Sequence, residues 1–138
     1  MTRRWLDTLA RVRATREDAA RADAARAEMA AEVHRRAAAV LQVRLDRPEK
    51  LPPGTAAAFV GTAVAQAATA RGLSAAVAAW QDGLVDQATA RDVLRAAATA
   101  RKTVDRLAER QAEDRAAVRQ RVEQAAVDEV AGTPRQRP

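Results

Sequence analysis

The 138-residue sequence has no cysteine and no tyrosine, and it contains only one histidine, one phenylalanine and two tryptophans. The absence of cysteine excludes disulfide bridges and thiolate metal sites. The single histidine, His34, has only Glu32 beside it as a second metal ligand, so a metal site is disfavoured as well. With few side chains suited to acid–base or nucleophilic chemistry, we expect a non-enzymatic protein that binds no metal, cofactor or small molecule.

Large apolar side chains are also scarce, and isoleucine is absent. Alanine instead supplies 38 of the 138 residues, and alanine, glutamate, lysine, leucine and arginine together exceed half of the chain. This composition is typical of long helices and coiled coils. A β-sheet is disfavoured because β-branched and aromatic residues are few. The sequence therefore predicts an all-α fold with a thin core, since the gain from burial follows apolar area.

Proline and glycine divide the chain into segments. Residues 1–47 contain neither and predict a first long helix that ends before Pro48. Residues 48–54 form a Pro/Gly hairpin loop, residues 55–131 a second long helix with Thr55 as its N-cap, and residues 132–138 a disordered basic tail. We therefore expect a long antiparallel two-helix coiled-coil hairpin.

Glycines leave the continuity of the second helix open. Gly61, Gly72 and Gly83 each cost about 1 kcal/mol relative to alanine in a helix. If the helix is continuous and the chain turns at 47–54, the first helix pairs with about residues 55–98, and the end of the second helix projects past it. If the chain breaks near Gly72, a helix over 84–127 matches the first helix and residues 55–81 form a cap.

Apolar residues at helical spacing predict which faces meet. In the first helix the predicted stripe comprises Trp5, Leu9, Val12, Met29, Val33, Ala37, Val40 and Val43, with Ala19, Ala22 and Ala30 between them. In the second helix it comprises Ala90, Val93, Ala97, Ala100, Val104, Leu107, Gln111, Val118 and Ala125, at the spacing of heptad a and d positions.

The net charge of +6 makes nucleic-acid binding an alternative function. Against it, acidic residues share the same segments as most arginines, and no aromatic residues are interleaved for base stacking. An amphipathic helix on an anionic membrane surface is a further alternative, disfavoured because no Trp-, Phe- or Leu-rich face is present. The uncharged run 51–70 is long enough for a membrane span, but it opens with Pro52, Pro53 and Gly54 and has few large apolar residues.

Both ends of the chain resemble the flagellar export protein FliJ family, the coiled-coil stalk component of the type III export ATPase complex. Near the start, the segment LDTLARVR over residues 6–13, with Glu17 and Ala20 following, is similar to the opening pattern of that family. Near the end, KTVDRLAER over 102–110 and EQAAVDEVA over 123–131 resemble its closing pattern. The Pro-Gly turn followed by Phe59 falls where the family begins its second helix.

The resemblance implies an antiparallel coiled coil that inserts into the hexameric flagellar export ATPase as a stalk and couples it to the export gate protein through that protein's cytoplasmic domain. It implies a cytoplasmic protein, peripheral at the inner-membrane flagellar base, with roles in flagellum biogenesis, protein export and motility. The basic residues 1–13 precede no apolar segment, which also favours the cytoplasm over secretion. Whether export chaperones also bind, and whether the export system is flagellar or another type III system, stays open.

The resemblance also implies two contact surfaces. The ATPase-ring surface comprises Arg3, Arg4, Arg11, Arg13, Arg115, Arg119 and Arg121, where guanidinium groups suit a pore lined with acceptors. The export-gate surface comprises Phe59, Ala63, Gln66 and Ala70, which share one side of a helix. The alternatives are that each arginine lies on a solvated helix face and that Phe59 packs at the hairpin tip.

Overall fold

The computed structural model describes residues 3–47 and 54–132 of the chain. Two α-helices account for nearly all of them: α1 spans Arg3–Asp46 and α2 spans Ala56–Gly132. The helices pack against each other as an all-α hairpin, which confirms the predicted fold class. Six of the seven residues of the predicted hairpin loop, 48–53, lie outside the described residues. The same holds for residues 133–138 of the predicted disordered tail 132–138, whereas its first residue, Gly132, is the last residue of α2.

The ends of the helices have local causes. Thr55 is the N-cap of α2, as predicted, because its Oγ1 accepts a hydrogen bond from the Ala58 N–H at 3.2 Å. The last turn of α1 is closed by a bond from the Arg47 N–H to the Val43 carbonyl oxygen at 3.1 Å. The helix ends there because Pro48 follows, and a residue before proline avoids helical geometry.

The helix α2 continues through Gly61, Gly72 and Gly83 without interruption. Of the two alternatives for this helix, the continuous one is therefore found, and the break near Gly72 is absent. None of the described glycines has a positive φ. Gly61, Gly72 and Gly83 are therefore accommodated in ordinary helical geometry.

The helix pair divides into two compact units. Unit 1 comprises Met1–Thr15 and Ala98–Pro138, and unit 2 comprises Arg16–Ala97. In unit 2 the helices are antiparallel, because Ala31 lies against Gly83 while the later Leu41 lies against the earlier Gly72. Leu41 thus meets α2 further along than a tight turn at 47–54 would place it. The predicted pairing of the first helix with residues 55–98 is wrong in its alignment, because the contacts of Ala31 and Leu41 place α1 against later residues of α2.

The buried and half-buried residues that recur at coiled-coil spacing are called the seam, and alanine is the most frequent residue type among them. In unit 2 the seam comprises Glu17, Ala20, Ala24, Ala27, Ala31, Ala38, Leu41 and Leu45 on α1, and Thr69, Leu73, Ala76, Trp80, Gly83, Gln87, Ala90, Leu94 and Ala97 on α2. In unit 1 it comprises Leu6, Ala10 and Arg13 on α1, and Arg101, Val104, Ala108 and Gln111 on α2. These positions alternate by three and four residues as in a coiled coil, except that the exposed His34 interrupts the series between Ala31 and Ala38.

The predicted stripe of α1 is therefore wrong. Trp5, Val12, Met29, Val33, Val40 and Val43 are exposed, as are Ala19, Ala22, Ala30 and Ala37, and only Leu9 is half-buried. The seam runs one residue further along, through smaller side chains. In α2 the prediction is right at Ala90, Ala97, Val104 and Gln111, partly right at the half-buried Ala100, and wrong at Val93, Leu107, Val118 and Ala125, which are exposed.

Close approach of the two backbones explains this choice of residues. A Cβ added at Gly83 would lie 3.2 Å from Ala31 Cα and 3.3 Å from Ala31 Cβ. Small residues on both helices let the axes approach toward the short end of the usual 8–10 Å range. Backbone and Cβ contacts then replace the larger side chains of an ordinary core.

Alanine substitutions at two glycines should have opposite effects on stability. At Gly72 a new Cβ would meet only Leu41 Cδ1 at 3.6 Å, an ordinary contact, so Gly72→Ala should raise the free energy of unfolding by about 0.5–1 kcal/mol. At Gly83 the new Cβ would meet the Ala31 backbone, and Gly83→Ala should lower that free energy by about 1–2 kcal/mol. Urea unfolding followed by circular dichroism measures both. Equal stabilisation by the two variants would show that the helices separate without cost.

Candidate partner-binding surfaces

The last part of α2, residues 117–132, lies in unit 1 and is exposed on all sides. Every residue from 117 to 132 is exposed, so α1 does not cover this part of α2. Leu6, at the start of α1, is the last large apolar residue of α1 in the seam, and it is buried. Beside it lies a groove of about 400 Å³ lined by Leu6, Asp7, Ala108, Ala112, Arg115 and Arg119.

Three predicted ring-binding arginines lie near this end of α2. Arg115 lines the groove, and Arg119 and Arg121 lie within the exposed segment 117–132. The Arg115 Nε donates to the Gln111 carbonyl oxygen at 2.9 Å, so this side chain lies along its own helix. Arg119 and Arg121 are exposed, and across residues 3–47 and 54–132 neither they nor Arg115 form an ion pair. Their guanidinium groups are available to an anionic partner.

The four predicted ring-binding arginines of α1 differ in their surroundings. Arg4 and Arg11 are exposed, and the Arg11 Nε donates to the Asp7 carbonyl oxygen at 3.4 Å, a long contact. Arg13 is half-buried in the seam, and its Nε is buried without a hydrogen-bond partner. Arg13 therefore faces α2 more than solvent. The side chain of Arg3 lies outside the described residues.

The predicted export-gate residues all lie on α2 in unit 2. Phe59, Ala63, Gln66 and Ala70 are exposed and follow each other at spacings of four and three residues along one side of the helix. Phe59 has 77% of its surface exposed, so it does not pack at the hairpin tip within the described residues. Val60 and Val64, also exposed, extend this uncharged surface.

Half of the ten arginines of unit 2, in contrast, are paired with carboxylates on the same helix. Arg21 donates to Glu17 at 2.7 Å, and Arg26 pairs with Asp23. Arg95 donates to Asp92 at 2.8 Å. Between the helices, Arg91 lies 3.7 Å from Glu28. These pairs neutralise much of the positive charge that made nucleic-acid binding an alternative.

Among the described carboxylates, Glu32 is the one whose pKa is most strongly shifted. It accepts hydrogen bonds from Arg35 at 2.7 and 2.8 Å and from Arg36 at 2.8 Å. These bonds, Arg35 first, lower the pKa of Glu32 to about 2, and the same contact raises the pKa of Arg35. Glu32 therefore stays ionised throughout the physiological range, and it holds two guanidinium groups at once.

Sequence reasoning missed the polar residues of the seam. Glu17 pairs with Arg21 one turn away, yet it is only 8% exposed and lies between Arg13 and Ala20 in the seam. The signal was present: counting by four and three from Leu6 reaches positions 10, 13, 17, 20 and 24. The larger apolar residues Trp5, Leu9 and Val12, each one position earlier, indicated a different stripe.

Neither helix carries, among the described residues, an apolar stretch long enough to cross a lipid bilayer. Within the same residues, no three histidine or acidic side chains are grouped as metal ligands, and His34 is exposed. Comparison with protein-family models, with curated proteins and with solved structures finds no match to this chain.

Proposed function

We propose that the chain is a non-enzymatic coiled-coil component of a type III protein export apparatus, flagellar or related. In this role it inserts into the export ATPase ring as a stalk and couples the ring to the export gate. It acts in the cytoplasm, peripheral to the inner membrane at the flagellar base. The observation that carries the proposal is the exposed end of α2, where Arg119 and Arg121 have no carboxylate partner among the described residues.

A ring pore that must hold a helix favours this kind of surface. Exposed arginines offer permanent charge and several donors, and they suit acceptor groups that change position during a catalytic cycle. The exposed valines of this segment are interspersed with arginines, glutamines and acidic residues, so charged and polar side chains lie between the apolar ones. The helix over 117–132 therefore suits repeated, reversible contacts better than one permanent contact.

The second surface in the proposal is Phe59 with Ala63, Gln66 and Ala70, which would contact the export gate protein. It is uncharged, and exposed apolar residues of this kind mark interaction sites in an otherwise highly charged chain. Phe59 is the single large anchor, and burial of an aromatic side chain contributes much of the energy at protein interfaces.

The test is ATP hydrolysis by the export ATPase encoded in the same genome, with and without the chain, at physiological ionic strength. We expect a higher turnover, together with assembly of ATPase rings that co-sediment with the chain. No change in turnover and no co-sedimentation would contradict the proposal. In that case, binding to duplex DNA that falls steeply with salt would favour the nucleic-acid alternative.

A further inference from the structure

Unit 2 has a second apolar stripe on α1, on the side opposite the seam. We call Met29, Val33, Arg36, Val40 and Val43 the outer stripe. The four apolar members are exposed over 54–69% of their surface. The five positions follow each other at spacings of four, three, four and three residues, which is the spacing at which a second helix packs.

In the order of residue classes, although not in spacing, the outer stripe reads the same in both directions. From either end the order is two apolar residues, one arginine and two apolar residues. An interface between two identical copies related by a twofold axis needs this self-complementarity, because each residue meets the reversed pattern. An antiparallel pair of α1 helices centred near Arg36 places Val33 against Val40 of the partner subunit. It also places Met29 against Val43 of the partner subunit.

Charge at the centre of the outer stripe is balanced within the pair. Arg36 already donates to Glu32 at 2.8 Å, and Glu32 lies on the flank of the outer stripe. In the antiparallel pair each Arg36 lies within reach of its own Glu32 and of Glu32 of the partner subunit. Two guanidinium groups thus share two carboxylates around the twofold axis.

We propose that this chain self-associates through the outer stripe, as an antiparallel pair of α1 helices from two copies. Four apolar side chains from each copy form an interface well below the standard size of about 800 Å² per partner, so the association is weak and reversible. The inference does not depend on the proposed function, and the outer stripe shares no residue with the ring-binding or gate-binding surfaces.

Single cysteine substitutions test the geometry, because the chain has no cysteine of its own. Ala37 lies beside the centre of the outer stripe, so two copies of Ala37→Cys should be joined rapidly by a short bismaleimide. Ala30→Cys is the matched control, since the two cysteines would lie about 18 Å apart along an antiparallel pair centred on Arg36. Equal joining of both variants would contradict the antiparallel arrangement, and joining of neither would contradict the interface.

Sedimentation equilibrium over a wide range of concentrations tests the residues. Val33→Glu/Val40→Glu should remain monomeric at concentrations where the unmodified chain associates. Val60→Glu/Val64→Glu, which alters two equally exposed valines of α2, should associate as before. Arg36→Leu should tighten the association at least tenfold, because it places two further apolar side chains at the centre of the interface while Glu32 keeps Arg35 as its partner. A chain that stays monomeric in both its unmodified and Arg36→Leu forms would overturn the proposal.

Discussion

Replacing Ala31 with leucine should destabilise the hairpin more than any other single substitution considered for this chain. Ala31 is 4% exposed, and its backbone faces Gly83, the residue at which a Cβ would already lie 3.2 Å away. Three further carbon atoms have no space on either side of this contact. We expect Ala31→Leu to lower the free energy of unfolding by about 3 kcal/mol, the upper end of the range for overpacked cores.

The effect is large because the seam cannot adapt locally. Ala24 and Ala38, one heptad before and after Ala31, are also buried, so separating the helices at Ala31 would open both of these contacts. Gly83 has no side chain that could move aside. For a chain of this size, about 3 kcal/mol corresponds to a fall in Tm of about 10 °C.

Ala25→Leu is the matched control, since Ala25 is exposed on the same helix and the two residues differ little in helix propensity. We expect its Tm to stay within the small range typical of surface substitutions. Thermal unfolding of both variants, followed by circular dichroism at a fixed protein concentration, measures the difference. If Ala31→Leu were as stable as Ala25→Leu, the alanine seam would not be closely packed.

The fold itself follows from features that depend on short stretches of sequence. Composition predicts helices, Pro48 ends the first helix, and Thr55 begins the second with the hydrogen bond expected of an N-cap. Each of these signals concerns only neighbouring residues, so no partner helix is needed to interpret it. The continuity of α2 through Gly72 was left open, because local propensity weighs against a helix at glycine. The packing of α2 against Leu41, which supports a continuous helix, depends on the partner helix.

The faces of the helices could not be predicted in the same way. Apolar periodicity in α1 favoured valines such as Val33 and Val40, and both are exposed outside the seam. Which stripe faces the other helix depends on how closely the backbones approach, and that distance is set by Ala31 and Gly83 together. A pairwise property of two helices is not visible in the periodicity of either one alone.

The sequence could predict that most candidate site residues are exposed, but not which side chains surround them. Phe59 and its neighbours share a helix face, since spacing alone determines this. Arg13 differs, because it lies in the seam, where its Nε is buried. Arg119 and Arg121 have no carboxylate partner among the described residues. This depends on the side-chain geometry of the folded helix, which spacing does not fix.

Reversing the charge of two arginines at the exposed end of α2 should largely abolish stimulation of the export ATPase. In Arg119→Glu/Arg121→Glu, repulsion from acceptor groups of the pore replaces attraction. We expect the concentration needed for half-maximal stimulation to rise about 100-fold, which corresponds to about 2.8 kcal/mol of binding energy. The hairpin should keep its stability, because both side chains are exposed and neither contributes to the seam.

Arg47→Glu/Arg71→Glu is the matched control for this experiment. It makes the same change in net charge at two exposed arginines of unit 2. A general attraction between a basic chain and an acidic ring would be weakened equally by both double variants, and more so at low salt. A specific contact at the end of α2 would be weakened only by Arg119→Glu/Arg121→Glu. Equal loss in the two variants would therefore refute the assignment of this end to the ring, even if stimulation by the unmodified chain were strong.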